Sequence, residues 1–366
     1  MPKHPEQPDY RHLTEMRVGE PLLQQPLEIL VAESEALLSR DFFRTAARSE
    51  LYRRLWRPAG VRVSSLEGRS GLQNLPMLQS QDLQAMLASG KNIRKALLAR
   101  PRTWVISAGR QDSPKWLPVT GRDVAHWYLR MRRLYEQIGQ ADQPTVVLAL
   151  NEPMPRPSNA IPYLWEQADY LNGNQQLEWI VAAMQMLPRV HWDSFVRQKQ
   201  PNWLVSSVHD ARQMAAAFEQ LTGGPVHQVL PGLERGFFWG APLDDSTRTE
   251  LVEQFGLAAA HSLYFSAGCR EMYFECRQQN GLHLWMDGVI HEIIPQGEHR
   301  ACFIDQVQPG TRGEYVVTVF YEALPLIRYR TGDQIELVSK QGCSCGINHP
   351  LVRFTGRIAT IPVEGI

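Results

Sequence analysis

Lysine is scarce in this chain of 366 residues. Of 38 basic residues only Lys3, Lys91, Lys95, Lys115, Lys199 and Lys340 are lysines, and none follows residue 340. Chemistry that needs a lysine therefore has few candidates. Net charge is absent too, because 38 acidic residues balance the 38 basic ones. That balance argues against a nucleic-acid-binding domain, whose affinity rests on excess positive charge facing phosphates. A small phosphate ligand needs only one or two local cations and stays open. No apolar run reaches the length of a membrane-spanning helix. The opening MPKHPEQPDYRHLTE has no apolar stretch after its first positive charge, so no secretory signal is read and a cytoplasmic protein is expected. The cysteines number five, Cys269, Cys276, Cys302, Cys343 and Cys345. An odd count in a long, unsecreted chain does not suggest a disulfide framework. Cys343 and Cys345 are too close in sequence for an unstrained disulfide, but both sulfurs can point toward one metal ion.

What is present is ordinary globular composition, 43% hydrophobic and 21% charged, which excludes a disordered or fibrous chain. The length suits one large domain with subdomains, or two domains. Residues 22–100 show apolar side chains at three- and four-residue spacing, and a helical N-terminal segment is expected over 1–100. Short apolar runs then alternate with amphipathic ones. Strands are expected at 103–107, 145–150, 202–208, 227–232 and 261–266, with helices at 176–187, 211–221 and 247–255. Thr247 and Glu250 fit a capping box for the last helix, and Gly256 fits its stop. Such alternation implies an α/β region over 101–275 with mostly parallel sheets covered by helices. After about residue 280 the pattern is all-β. A smaller antiparallel or barrel-like subdomain is expected over 276–355, followed by a stub at 356–366.

The most informative segment is Ile327-Arg-Tyr-Arg-Thr-Gly-Asp333, placed as a turn between two strands. An ionised aspartate there offers two acceptor oxygens, enough for both hydroxyls of a ribose. Taken alone, Thr-Gly-Asp is more often a plain turn. In context, ALPLIRYRTGD closely resembles the ribose-binding motif of the adenylate-forming superfamily (acyl-CoA synthetases, aryl-acid ligases, luciferases), nearest to its phenylacetate–CoA ligase branch. Other segments fall in that family's order. Ser107-Ala-Gly109 through Lys115 sits where the family has its phosphate loop, after a strand and before a helix. Gly240-Ala241-Pro242 looks like the adenine-side loop. Tyr264-Phe265-Ser266-Ala-Gly268 looks like the tyrosine motif that stacks on adenine and faces the acyl group. Glu275-Cys276, Gly281-Leu-His283 and Glu292-Ile-Ile resemble the branch's pattern, and Thr355-Gly356-Arg357 looks like the start of a hinge to a C-terminal domain. The likeness covers roughly residues 70–366.

The resemblance implies the large domain of the adenylate-forming fold, without its C-terminal domain. It implies activation of a carboxylic acid by ATP, with Mg²⁺, through attack of the acid's oxygen on the α-phosphorus. Lys115 would add a point charge and Ser107 a donor at the phosphates, where backbone N–H groups also serve. Asp333 would hold the ribose. Gly109, Gly240, Ala241, Pro242, Tyr264, Ser266 and Arg357 would border the nucleotide, and AMP would remain in the acyl-adenylate. Phe238 and Phe265 are candidates for an aromatic acyl pocket; for Phe238, packing under the next helix is an equal reading, and Asn151 sits where relatives begin that pocket, with a plain proline-rich loop an equal reading. The expected substrate is an aromatic carboxylic acid. Length and branch together resemble the adenylating proteins of phenazine antibiotic formation, which implies a phenazine carboxylate and a partner that reduces or accepts the acyl group. A homodimer is also considered.

Some positions depart from the family pattern. Arg110-Gln-Asp112 stands where the phosphate loop has Thr-Thr-Gly, which removes two hydroxyl donors and adds a carboxylate near phosphate. Gly268 stands where the family has a magnesium-holding glutamate; Glu271 is the substitute considered. No lysine follows Lys340 to serve as the family's C-terminal lysine. These departures motivate two alternatives: a catalytically degraded relative that binds or scaffolds, and acyl transfer to a protein partner. Cys276, His283, Cys343 and Cys345 supply three thiolates and one imidazole, a set suited to a closed, structural tetrahedral Zn²⁺. By spacing alone, zinc and four unligated side chains are equal readings. Some relatives in the branch carry the same set, which favours zinc. His209-Asp210 reads as a helix start rather than an acid–base pair.

Overall fold

The computed structural model describes residues 24–88, 93–107, 115–123, 145–151, 177–183, 195–266 and 271–358, with isolated positions at 130, 133, 134, 137, 138 and 269. Gly109, Arg110–Asp112 and Gly268 lie outside these.

The N-terminal part is helical: α1 Leu27–Ala36, α2 Arg40–Ala46, α3 Glu50–Trp56, α4 Gly68–Gln73, α5 Ser80–Ala88 and α6 Ile93–Ala96. Phe43, Leu51, Tyr52 and Trp56 are buried in the main core. A hairpin follows, of β1 Thr103–Ser107 and β2 Lys115–Val119, with Ser107 opposite Lys115. The segment after the expected phosphate loop is therefore a strand, not a helix. The run KWLPV explains this: five residues are too few for an independent helix, and Pro118 disfavours one.

One six-stranded sheet comprises β3 Thr145–Asn151, β4 Leu177–Ala183, β5 Trp203–Ser207, β6 Arg235–Trp239, β7 Ala259–Ser266 and β8 Glu271–Phe274, in the order β4-β3-β5-β6-β7-β8. Every neighbouring pair is parallel except β7–β8. Helices α7 Phe195–Lys199, α8 Val208–Thr222, α9 Val226–Val229 and α10 Asp245–Phe255 lie between strands. Residues 176–187, expected as a helix, contain β4, paired in register with β3 from Thr145↔Leu177 to Asn151↔Ala183. A short apolar run such as LEWIVAA does not reveal its period, and parallel pairing decides it. Residues 227–232, expected as a strand, begin inside α9, which starts after Pro225; the strand comes later, as β6. Helix α10 is capped one turn earlier than Thr247: the Asp244 carboxylate accepts the Thr247 N–H at 2.8 Å. Its stop at Gly256, φ +66°, is as expected.

The second sheet is antiparallel throughout. It comprises β9 Leu282–His283, β10 Val289–Pro295, β11 Cys302–Phe303, β12 Arg312–Val319, β13 Leu326–Ser339 and β14 Leu351–Arg357, in the order β11-β10-β12-β13-β14-β9. Its edge strands differ, so it does not close by hydrogen bonding into a barrel. Strand β13 is long and irregular. Val316 pairs with Arg330 and Glu314 with Gln334, so two steps on β12 span four on β13. Thr331-Gly-Asp333 is thus a bulge inside one strand, not a turn between two, with Gly332 at φ +74°.

A buried ion pair ties the helical part to this strand. Arg328, itself at φ +51°, reaches both oxygens of Glu292, at 3.1 and 2.9 Å, and the carbonyls of Gln73 and Leu75. The Tyr52 hydroxyl donates to Pro325 O and accepts from Ile327 N–H at the head of the same strand. Replacing Glu292 by Gln leaves a buried guanidinium without its counter-charge, and is expected to lower the unfolding free energy by about 3–5 kcal/mol. Urea denaturation of the variant beside the parent chain measures this.

Candidate functional site

Ser207, Trp239 and Ser266 end three adjacent parallel strands on the same edge of the first sheet. In open α/β sheets ligands bind beyond the carboxyl ends of the strands. Gly240, at φ +88°, leaves β6 there, followed by Ala241 and Pro242. Register places it level with Tyr264, since Phe238 pairs with Ser262 two residues earlier on each strand.

The second sheet brings Asp333 to the same place. The Thr331 hydroxyl donates to Tyr315 O at 2.8 Å and accepts the Asp333 N–H at 3.1 Å, which fixes the bulge from within. Asp333 is 1% exposed. The Tyr264 hydroxyl donates to its Oδ2 at 2.6 Å, and Arg357 Nε lies 3.0 Å from Oδ1. Arg357 is the direct cross-strand neighbour of Asp333 and its side chain is largely exposed. Burial raises the Asp333 pKa above the ordinary aspartate value, opposed chiefly by Arg357. Burial and the Asp333 charge hold the Tyr264 phenol well above its usual range, so it remains a donor.

The Tyr264 ring stacks on Tyr273, with centroids 5.8 Å apart, and meets Tyr315 edge-on. Beneath it runs a hydrogen-bonded chain. His291 Nδ1 and Tyr315 Oη are 2.8 Å apart, and the Tyr315 and Tyr273 hydroxyls 2.9 Å apart. His291 Nε2 lies 2.8 Å from Trp285 O. A neutral imidazole with its proton on Nε2 satisfies every contact: Nε2 donates to the carbonyl and Nδ1 accepts from Tyr315.

Several expected site residues sit elsewhere or are described only in part. Phe238 packs in the helix-covered layer with Leu204, Leu251 and Phe255. Its neighbours Phe237 and Trp239 face the main core with Tyr264, and Phe265 packs against that core. Strand alternation makes the difference, because successive side chains take opposite faces. Ser107, Lys115, Asn151 and Ser266 are placed at strand ends by their backbones alone. Glu271 does not fit a magnesium site. It is 0% exposed, accepts the Tyr321 hydroxyl at 2.8 Å and lies 3.5 Å from Arg130 Nε. Asp210 is a helix-start residue: the Ser207 hydroxyl accepts its N–H and donates to its carboxylate.

A second constellation is a cysteine–histidine cluster. Cys276 follows β8, His283 lies in β9, and Cys343 and Cys345 sit between β13 and β14. Gly342 and Gly346, at φ +80° and +91°, allow the tight turn there. Pairing of Leu351 with His283 draws the pieces together. The four potential ligand atoms lie within 4.8 Å of one another. Cys276 and Cys343 sulfurs are 3.7 Å apart, and Cys345 Sγ is 3.4 Å from His283 Nε2. A tetrahedral zinc with bonds of about 2.3 Å to sulfur and 2.0–2.1 Å to nitrogen needs edges of about 3.8 and 3.5 Å. The donor set fits that ion.

Sequence reasoning missed the Arg328–Glu292 pair and the Arg130–Arg133–Asp287 cluster, in which both guanidinia grip one carboxylate. Their only trace in sequence is arginine inside apolar stretches.

No protein-family model matches the chain. It is 25% identical over 338 residues to a phenylacetate–coenzyme A ligase of Thermus thermophilus, covering 88% of this chain and 69% of that protein. Among solved structures, 2-hydroxyisobutyryl-CoA ligase in a postadenylation state with 2-HIB-AMP superposes with a TM-score of 0.74 at 18% identity, covering 94% of this chain and 72% of that one. The acyl acid amido synthetase AtGH3.15 with 2,4-DB gives 0.62 at 15%, covering 95% and 70%. The fold is that of the adenylate-forming ligases, an α/β architecture shared over more than nine-tenths of the chain.

Burial pushes the His291 pKa down to about 4. The folded state favours the neutral ring, so its contribution is complete above the unfolded value near 6.5 and fades as pH falls through that value toward 4. A loss of up to about 3 kcal/mol in unfolding free energy is expected over that window. Urea titrations at a series of pH values on the parent chain and a His291→Gln variant measure it; the variant should lack this part of the pH slope.

Proposed function

We propose that this chain activates an aromatic or other bulky carboxylic acid with ATP, forming an acyl-adenylate and releasing pyrophosphate. The observation that carries this is the convergence of Tyr264 and Arg357 on Asp333, at the carboxyl edge of the parallel sheet. Ionised Asp333 accepts the two ribose hydroxyls once Arg357 swings aside. Tyr264 keeps its hydroxyl on Oδ2 and lends its ring to the adenine or acyl side. Gly240-Ala-Pro242 borders the base, and Lys115 and Ser107, opposite each other at the loop end of the β1–β2 hairpin, flank the phosphates. The acid's oxygen attacks the α-phosphorus and the bond to the bridging oxygen of pyrophosphate breaks. Bringing two anions together requires preorganised positive charge and donors. No step is assigned to Mg²⁺, because Glu271 is committed elsewhere. A phenazine carboxylate is the first aryl acid to test, beside phenylacetate, the acid in the name of the Thermus relative. The acyl group would pass to CoA, a reductase or a protein acceptor. Zinc at Cys276, His283, Cys343 and Cys345 would cross-link β9 to the β13–β14 turn as a structural ion.

A second reading, a nucleotide- or acid-binding protein without turnover, is favoured by one feature: both oxygens of Asp333 are already engaged by protein. Carboxylate-dependent exchange of pyrophosphate into ATP separates the two. Exchange with at least one aryl acid, reduced about 10²-fold or more in Asp333→Ala, is the expected result. Exchange absent with every acid, while AMP binds measurably, would establish the second reading.

One zinc per chain is expected on elemental analysis after mild purification. Cys343→Ser should lower the zinc content and the melting temperature together. A zinc-free chain with unchanged stability would overturn the metal assignment.

A further inference from the structure

The balanced charge of the whole chain conceals a local excess. Residues 40–62 contain seven arginines against two acids, Asp41 and Glu50. Part of this excess gathers at a cleft of about 650 Å³ beside α3, lined by Glu50, Arg53, Arg54, Trp56 and Arg57, with Val61 and Val63 among its apolar walls. Glu50 pairs with Arg53 at 3.0 Å and with Arg54 at 2.9 Å. Two guanidinia thus share one carboxylate, and among the described residues the third, Arg57, has no ion-pair partner. Trp56 adds a separate signal. It is 2% exposed, and its Nε1–H is buried with no acceptor among the described residues. A buried N–H left without an acceptor is costly, so an acceptor that enters from the cleft removes that cost.

We propose that this cleft is a second anion site, taking a phosphate group, either free or at the end of a larger ester. Arg53 and Arg57 would supply the charge and Trp56 Nε1–H a donor. Phosphate is favoured over a carboxylate because a dianion matches the excess of guanidinia, and the planar fork of arginine pairs two phosphate oxygens at once. The carbonyl end of α3 opposes an anion there, but only by a fraction of what a charged hydrogen bond returns. The site does not depend on the adenylation reading. It lies against the ribose strand nonetheless, since Tyr52 borders the cleft and its hydroxyl bridges Pro325 and Ile327.

The test is a titration of the ¹⁵N-labelled full chain with inorganic phosphate and with pyrophosphate, against sodium chloride at matched ionic strength. The readout is the indole N–H resonance of Trp56, assigned by its loss in Trp56→Phe. A saturable shift with phosphate or pyrophosphate but not chloride is expected. In Arg53→Ala and Arg57→Ala binding should weaken by about tenfold or more, with the rest of the spectrum unchanged because both side chains are exposed. Tighter binding of pyrophosphate identifies a diphosphate group as the natural ligand; tighter binding of phosphate identifies a single phosphate group. A Trp56 resonance that moves no further than in chloride, or moves equally in the two variants, overturns the proposal.

Discussion

The guanidinium of Arg328 holds strand β13 in a shape no regular strand would take. Its backbone sits at φ +51°, a conformation that costs a non-glycine residue about 1–3 kcal/mol. The side chain offsets that cost by saturating itself below the surface, with two bonds to Glu292 and one each to Gln73 O and Leu75 O. The charges themselves are expensive to bury, and the pair is tolerated because each of the three guanidinium nitrogens donates to an acceptor. What the arrangement secures is position. The strand is pinned at Ile327 by Tyr52 and at Arg328 by Glu292. It can then spend two extra residues on the bulge at Thr331-Gly-Asp333 without losing register with β12 beyond it.

Tyr264 is the joint between the two sheets. It arises from the parallel sheet, yet its hydroxyl ends on Asp333 in the antiparallel one. The chain of His291, Tyr315 and Tyr273 beneath it is sealed from water, so each hydroxyl has one available geometry. A ring stacked on that chain has little freedom left. The site is therefore rigid on the Tyr264–Asp333 side and open on the Arg357 side.

Much of this was legible in the sequence, and the exceptions have physical causes. The strands at 103–107, 145–150 and 261–266 were readable because β-branched and aromatic residues cluster between turn signals. Helix α8 was readable from its period. Residues 176–187 were not, because a short apolar run satisfies both periods until a partner strand selects one. Phe238 was chosen for its chemistry, but which face a strand residue takes depends on the pleat, and composition does not reveal it. The four cysteine and histidine residues were legible as a set. Their closure depends on β14 meeting β9, a pairing that joins residues almost seventy positions apart. The buried arginines were invisible, since nothing local distinguishes an arginine that seeks a distant carboxylate from one on a wet helix face.

The state of Asp333 bears on how such a site could be stable when empty and still take the proposed ribose. A buried carboxylate with no partner would be costly or would stay protonated. Tyr264 and Arg357 remove that problem unequally. The tyrosine bond is buried and short, and it occupies one of the acceptor positions on Oδ2. The arginine contact is held by a side chain that is 69% exposed, and solvent screening leaves such a pair weak. In the proposed function, a ribose arriving at the strand edge would therefore compete only with the weak contact. Once Arg357 yields, Oδ1 and the remaining lone pair of Oδ2 would be free to accept, two acceptors for the two vicinal hydroxyls of the proposed ribose. Because Arg357 closes β14 opposite Asp333, the exchange also frees the strand's last side chain.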